Sequence, residues 1–164
     1  MDPIYDKIDF KKITKITPDL GERGVKGGFS LFLDEATKYL CSHAWVSRIE
    51  ESYVGIFVDG IVGVFLFLIN PSRSNVDNWV WVIVGDLPPA YITCEDCPNP
   101  AAALDGYIGA MEEWVKAAEN NDPVSEIIPV NLPASPENAE RLRGRLKFLG
   151  EKILSEYQDD LRAF

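Results

Sequence analysis

Cys94-Glu-Asp-Cys97 is a Cys-x-x-Cys pair, and Cys41-Ser-His43 supplies the two further ligands that a tetrahedral zinc site takes. Such a centre requires the segment carrying Cys41 and His43 to end beside the loop carrying Cys94 and Cys97. Two features oppose it. Cys41 and His43 are two apart, a poor chelating spacing if both are helical. Glu95 and Asp96 flank the other pair and raise the cost of forming thiolate, which metal binding and thiol exchange both use. Incidental loop thiols are the expectation, with a zinc or redox site built on Cys41, His43, Cys94 and Cys97 as the rival.

Acid–base or nucleophilic catalysis needs a base within reach of a nucleophile. The chain has one histidine, His43, and at the end of a predicted helix such a residue is expected to cap carbonyls and oppose the helix dipole. Gly-x-Ser-x-Gly, His-Glu-x-x-His and a dinucleotide fingerprint are all missing from the sequence. Gly21-Glu-Arg-Gly-Val-Lys-Gly-Gly28 is no phosphate loop, because Lys26 is followed by glycine and no strand precedes it. Asp86, in Val84-Gly-Asp-Leu-Pro-Pro89, is the most conspicuous carboxylate, and its expected role is that of a turn residue accepting backbone hydrogen bonds. Arg141, Arg143, Arg145 and Lys147 are read as a solvated face balanced by Glu137, Glu140 and Glu151. No catalytic set and no cofactor emerge.

The elements that must position these residues are legible from periodicity. Phe32, Ala36, Tyr39 and Leu40 mark a first helix over 29–43, with Ser30 as its N-cap. Ser52 to Val58 and Ile61 to Ile69, joined by Asp59-Gly60, predict a hairpin. Trp79 to Val84 is the third strand of an antiparallel meander; Pro88-Pro89 must end it, and Ala90 to Thr93 resumes as a short edge. Trp79 and Trp81 fall on one side of that strand, Val80 and Val82 on the other.

Asn99-Pro100 starts a helix over 99–120 whose Leu104, Tyr107, Ile108, Met111, Trp114 and Val115 share a face, and Ser135-Pro136 starts another over 135–162. A short strand is expected at Ile127 to Val130 between them. The fold class is α+β: a meander of three or four strands packed against three helices, in the order helix, strands, helix, helix. Residues 1–28 read as a partly flexible arm with room for one short strand, and 29–164 as a single domain.

With 164 residues, 46% apolar and 26% charged, the chain is long and apolar enough to bury one core. Its longest apolar stretch is too short to cross a bilayer and no signal pattern opens it, so a cytoplasmic address is the default. Three cysteines then argue for reduced thiols rather than a disulfide framework. A formal net charge of −10 disfavours nucleic acid and anionic membranes. Residues 29–133 hold fifteen acids and four bases, whereas 1–28 hold five and six and 134–164 hold six of each. The excess is concentrated in the middle, as an acidic face for a basic partner requires.

Tyr53-Val-Gly-Ile-Phe-Val-Asp-Gly60, Trp79-Val-Trp-Val-Ile-Val-Gly-Asp-Leu-Pro-Pro-Ala-Tyr91, Asn99-Pro100 with Tyr107, Met111 and Trp114, and Ser135-Pro-Glu-Asn-Ala-Glu140 together resemble a family of small bacterial proteins, over roughly residues 29–157. That resemblance carries no catalytic residues and implies a compact, cytosolic bacterial protein. In type the chain is also similar to immunity proteins, which block secreted toxins by direct binding. The expected function is therefore a non-catalytic acidic protein that covers a basic toxin. Glu50, Glu51, Asp59, Asp77 and Asp86 flank strand ends where binding groups are displayed, and an exposed Trp79 would serve as an apolar anchor. A homo-oligomeric structural or small-molecule-binding domain, such as a dimer built on the ends of the aromatic sheet, is the remaining rival.

Overall fold

The computed structural model describes residues 5–17, 28–71 and 78–162. Five antiparallel strands form one open sheet in chain order: β1 Thr14–Lys15, β2 Val46–Val58, β3 Val62–Pro71, β4 Trp79–Gly85 and β5 Ala90–Thr93. Helix α1 (Gly28–Cys41) precedes β2; α2 (Pro100–Glu119) and α3 (Pro136–Phe148) follow β5. Beyond α3 the chain continues through a π-helical turn at Leu149–Ile153 and a 3-10 turn at Leu154–Tyr157 to a last short helix, α4, Gln158–Arg162.

The class is α+β as the sequence predicts: four strands of the meander and one short strand from the amino-terminal arm. The arm's strand is β1, which pairs through Thr14↔Val54 and Lys15↔Tyr53, and Ile16 N donates to Ser52 O at 2.8 Å. Two residues of alternating polarity carry no periodic signal; only their long-range partner makes them a strand. Around β1, residues 5–17 lie against the sheet. Ile8 joins the core, and the Phe10 ring stands edge-on to Tyr53 and Trp79.

Alternation along the central strands divides the core in two. Trp79, Trp81 and Ile83 of β4, with Val62, Val64 and Leu66 of β3, face α2 and the helix behind it, α3. Val80, Val82 and Val84, with Phe65, Phe67 and Ile69, face α1 through Phe29, Ala36 and Leu40. Both sheet faces are thus covered, which is why the strands read as continuous apolar runs. The first helix supplies one side of that cover and the two downstream helices the other.

Local chemistry fixes the joints. Asn99 accepts from Ala102 N at 2.8 Å as N-cap of α2, and Ser135 accepts from Asn138 N at 3.2 Å as N-cap of α3. Ser30, expected to cap α1, lies inside its first turn instead. The hairpin turn is Asp59-Gly60-Ile61, one residue longer than the Asp-Gly signal implies, with Gly60 at φ +73°. Residues 127–130 form no strand. Pro129 lacks a donor, and Ile127, Ile128 and Val130 pack instead as loop side chains on the main core.

Candidate functional site

The sheet separates the zinc candidates. His43 lies at the end of α1, its ring against Tyr39, Trp45 and Tyr91 on the α1 side. Cys94 and Cys97 are buried in the core on the α2 side. Cys41 is exposed. The four residues therefore do not converge, and among the described residues no three His, Cys, Asp or Glu side chains come together in a way that could hold a metal ion. His43 caps its helix: Nδ1–H donates to Tyr39 O at 3.0 Å and Leu40 O at 3.2 Å.

The Cys-x-x-Cys loop is set up against thiolate chemistry. Burial pushes the Cys97 thiol up to about 11, and the charges of Asp96 and Asp105 add to the shift. Its Sγ donates to Ala102 O at 3.6 Å, and its carbonyl accepts the Trp81 indole Nε1–H at 2.8 Å. Cys97 N donates to Cys94 O at 3.2 Å, closing the turn between the two thiols.

The acids that the sequence singled out are dispersed and mostly engaged at home. Glu50 pairs with Arg48 at 2.6 Å. Glu51 accepts from the Tyr53 hydroxyl and lies 3.6 Å from Lys15 Nζ, so the β1 strand brings its own counter-charge. The Asp59 carboxylate lies over Gly28 at the first turn of α1, where a Cβ on Gly28 would overlap it. A carboxylate there complements the helix dipole. Asp77 falls outside the described residues. Trp79 is 4% exposed because Phe10 and Tyr53 cover it, so it is part of the core and not an exposed anchor.

Asp86 behaves differently from the turn residue expected. Its backbone N donates to Ile61 O at 3.0 Å, while its carboxylate meets Arg145, Oδ2 to Nε at 3.3 Å and Oδ1 to Nη2 at 3.4 Å. Arg143 pairs with Glu119 of α2. These cations thus reach across to other elements rather than to Glu137, Glu140 and Glu151 on their own helix.

A denser acidic site forms where the amino-terminal segment meets the loop after β5. Asp9 N donates to Pro98 O at 2.8 Å and holds the two together. Between them opens a cleft of about 610 Å³ lined by Asp6, Asp9, Glu95 and Asp96, with Lys7 the one cation among its described lining residues. Asn99 at its base caps α2 with Oδ1 and donates through Nδ2 to Asp160 O at 3.0 Å, tying the cleft to α4. Lys12 nearby is turned to Asp160 at 2.9 Å, and that carboxylate raises its pKa first by hydrogen bonding and then by charge.

Two of these four acids come from the arm, which carries one more base than acid by sequence, and two from a loop read for its cysteines and for the acids' effect on them. The local signal was the Glu-Asp dipeptide at 95–96; that Asp6 and Asp9 face it depends on a contact about ninety residues apart in sequence. Among the described residues that line it there is no Ser, Thr, Cys or His, and no group of side chains that could hold a metal ion. Its chemistry is attraction of cations.

No family model, curated protein or solved structure matches the chain. Among the described residues no helix is long and apolar enough to cross a membrane.

Proposed function

We propose that this chain is a non-catalytic acidic protein that binds a basic protein partner, most concretely an immunity or antitoxin protein that neutralises a toxin by covering its basic surface. The observation that carries this reading is the cleft whose described lining includes four acids, Asp6, Asp9, Glu95 and Asp96, and one lysine, Lys7. Complementary charge of this kind raises association rate and selects partners without any active site. The frame is firm because Asp9 is held to Pro98 O, Trp81 to Cys97 O and Asn99 to Asp160 O. A protector of this type acts in the cytoplasm of the cell it defends.

Affinity capture from a bacterium carrying the gene, at low salt, tests the reading. The expected result is a stoichiometric basic partner that high salt releases and that the double variant Glu95→Lys, Asp96→Lys no longer retains. A partner held equally by wild type and the charge-reversed variant would overturn the assignment to this cleft. Recovery of the chain alone at every salt concentration would overturn the function.

A further inference from the structure

The corner that ends β4 and the outer face of α3 enclose a furrow that shares no lining residue with the acidic cleft. One wall is Asp86-Leu-Pro-Pro89; the other carries Arg141 and Arg145. Two hollows, of about 390 and 330 Å³, share Asp86, Leu87, Arg141 and Arg145 and so meet at the Asp86–Arg145 ion pair. Leu132 stands at the outer end of one hollow and Phe148 at the outer end of the other, 44% and 43% exposed. Buried Leu142 and Leu149 lie beneath.

The charge of this furrow opposes that of the whole molecule. Arg143 is committed to Glu119 on a different face of α3, and Arg145 is shared with Asp86. Arg141 sits one turn before Arg145 on the same stripe and, among the described residues, has no acidic partner at ion-pair distance. Two guanidiniums against one carboxylate leave a locally positive furrow in a chain of net charge −10. Guanidinium groups present planar paired donors that match carboxylate geometry. The order along the furrow is apolar, cationic, apolar.

From this complementarity we infer that the furrow docks an extended peptide segment of a partner protein in which an acidic side chain lies between two apolar ones. The acid meets Arg141, and the flanking side chains fill the hollows ended by Leu132 and Phe148. Alternate side chains of an extended segment point the same way, so residues two positions either side of the acid reach the two hollows together. The site is independent of the acidic cleft and stands or falls separately from the function proposed above.

The probe is a panel of acetylated, amidated heptapeptides with Glu at the centre and Leu, Val or Phe two positions to each side, each matched by a Gln-centred twin. Binding to the full chain is read by fluorescence polarisation. Glu-centred peptides bind at least about tenfold more tightly than their twins, as a charge-assisted contact predicts. Arg141→Gln abolishes that preference, Lys147→Gln on another face of α3 leaves it intact, and Phe148→Ser weakens both series. Arg141 is exposed and has no acidic partner among the described residues, so its variant keeps the wild-type Tm. The inference is overturned if no peptide shows a Glu preference or if the preference survives Arg141→Gln. Self-association abolished by Phe148→Ser would assign the furrow to a second copy instead, and hexanoate binding as tightly as the peptides would assign it to small carboxylates.

Discussion

Trp81 on β4 donates its indole Nε1–H to the main-chain carbonyl of Cys97 at 2.8 Å, across the core. The bond spans 16 residues and joins the strand at the centre of the fold to the loop that displays Glu95 and Asp96. The indole is fully buried, so both its area and its donor contribute to stability.

Trp81→Phe therefore removes part of a filled core site and strands a buried carbonyl. We expect a loss of about 2–4 kcal/mol from the cavity and the lost bond together, with an unchanged m-value in urea. Amide hydrogen exchange adds a local readout: residues 95–98 exchange faster in the variant than the rest of the sheet does.

Two glycines predict opposite outcomes for one substitution. Gly85 has φ +141°, and a Cβ there would collide with Ile61 O at the turn end of β3. Gly85→Ala should destabilise by about 3 kcal/mol or more through strain and displacement of that backbone. Gly109 lies on the exposed side of α2 with open space around its Cα. Gly109→Ala should stabilise by about 0.5–1 kcal/mol by helix propensity. Urea midpoints of the two variants, measured in parallel, check the pair.

What was legible from sequence follows the range of the forces involved. The face assignments of Trp79, Val80, Trp81 and Val82 hold because strand alternation is a local rule, and the Asn99-Pro100 start of α2 holds because capping involves neighbours. The pairing of Thr14 with Val54, the burial of Trp79 under Phe10 and the approach of Asp6 and Asp9 to Glu95 are contacts between distant segments with no period to betray them. The same limit applies to the thiols. Spacing along the chain left Cys41, His43, Cys94 and Cys97 open as a rival ligand set beside incidental thiols, whereas the sheet divides His43 from Cys94 and Cys97. Arg143 and Arg145 likewise found their acids on other elements, Glu119 and Asp86.

Thiol labelling distinguishes the three cysteines. Cys41 is exposed, while Cys94 and Cys97 are buried and the Cys97 thiol is held up to about 11. In native protein at neutral pH, Ellman's reagent should modify Cys41 quickly and the other two only after denaturant is added. Rapid modification of all three in the native state would contradict the buried loop. Added zinc should leave the reaction of Cys94 and Cys97 unchanged, because among the described residues no converging ligand set protects them.

The alkaline limb of stability follows from the buried acids that hold their protons. Burial, with Asp96 and Asp105 secondary, raises Cys97 from 9.0 to about 11; burial, with Tyr91 secondary, raises Tyr39 from 10.0 to about 12. Each group has a folded pKa above its unfolded one. The unfolded state therefore releases protons first as pH rises, and the contribution is fully present below the unfolded pKa and lost as pH climbs through the folded one. The urea midpoint should thus be insensitive to these two groups below about pH 9, fall for Cys97 between roughly pH 9 and 11, and fall for Tyr39 between roughly pH 10 and 12. Cys97→Ala should flatten the first part of the decline relative to wild type, and Tyr39→Phe the second. Lys12, raised by Asp160, adds to the same alkaline loss at its exposed pair, and Lys12→Met separates that share from the buried groups. A Cys97→Ala profile parallel to wild type from pH 8 to 11 would show that the thiol is not held protonated by the fold.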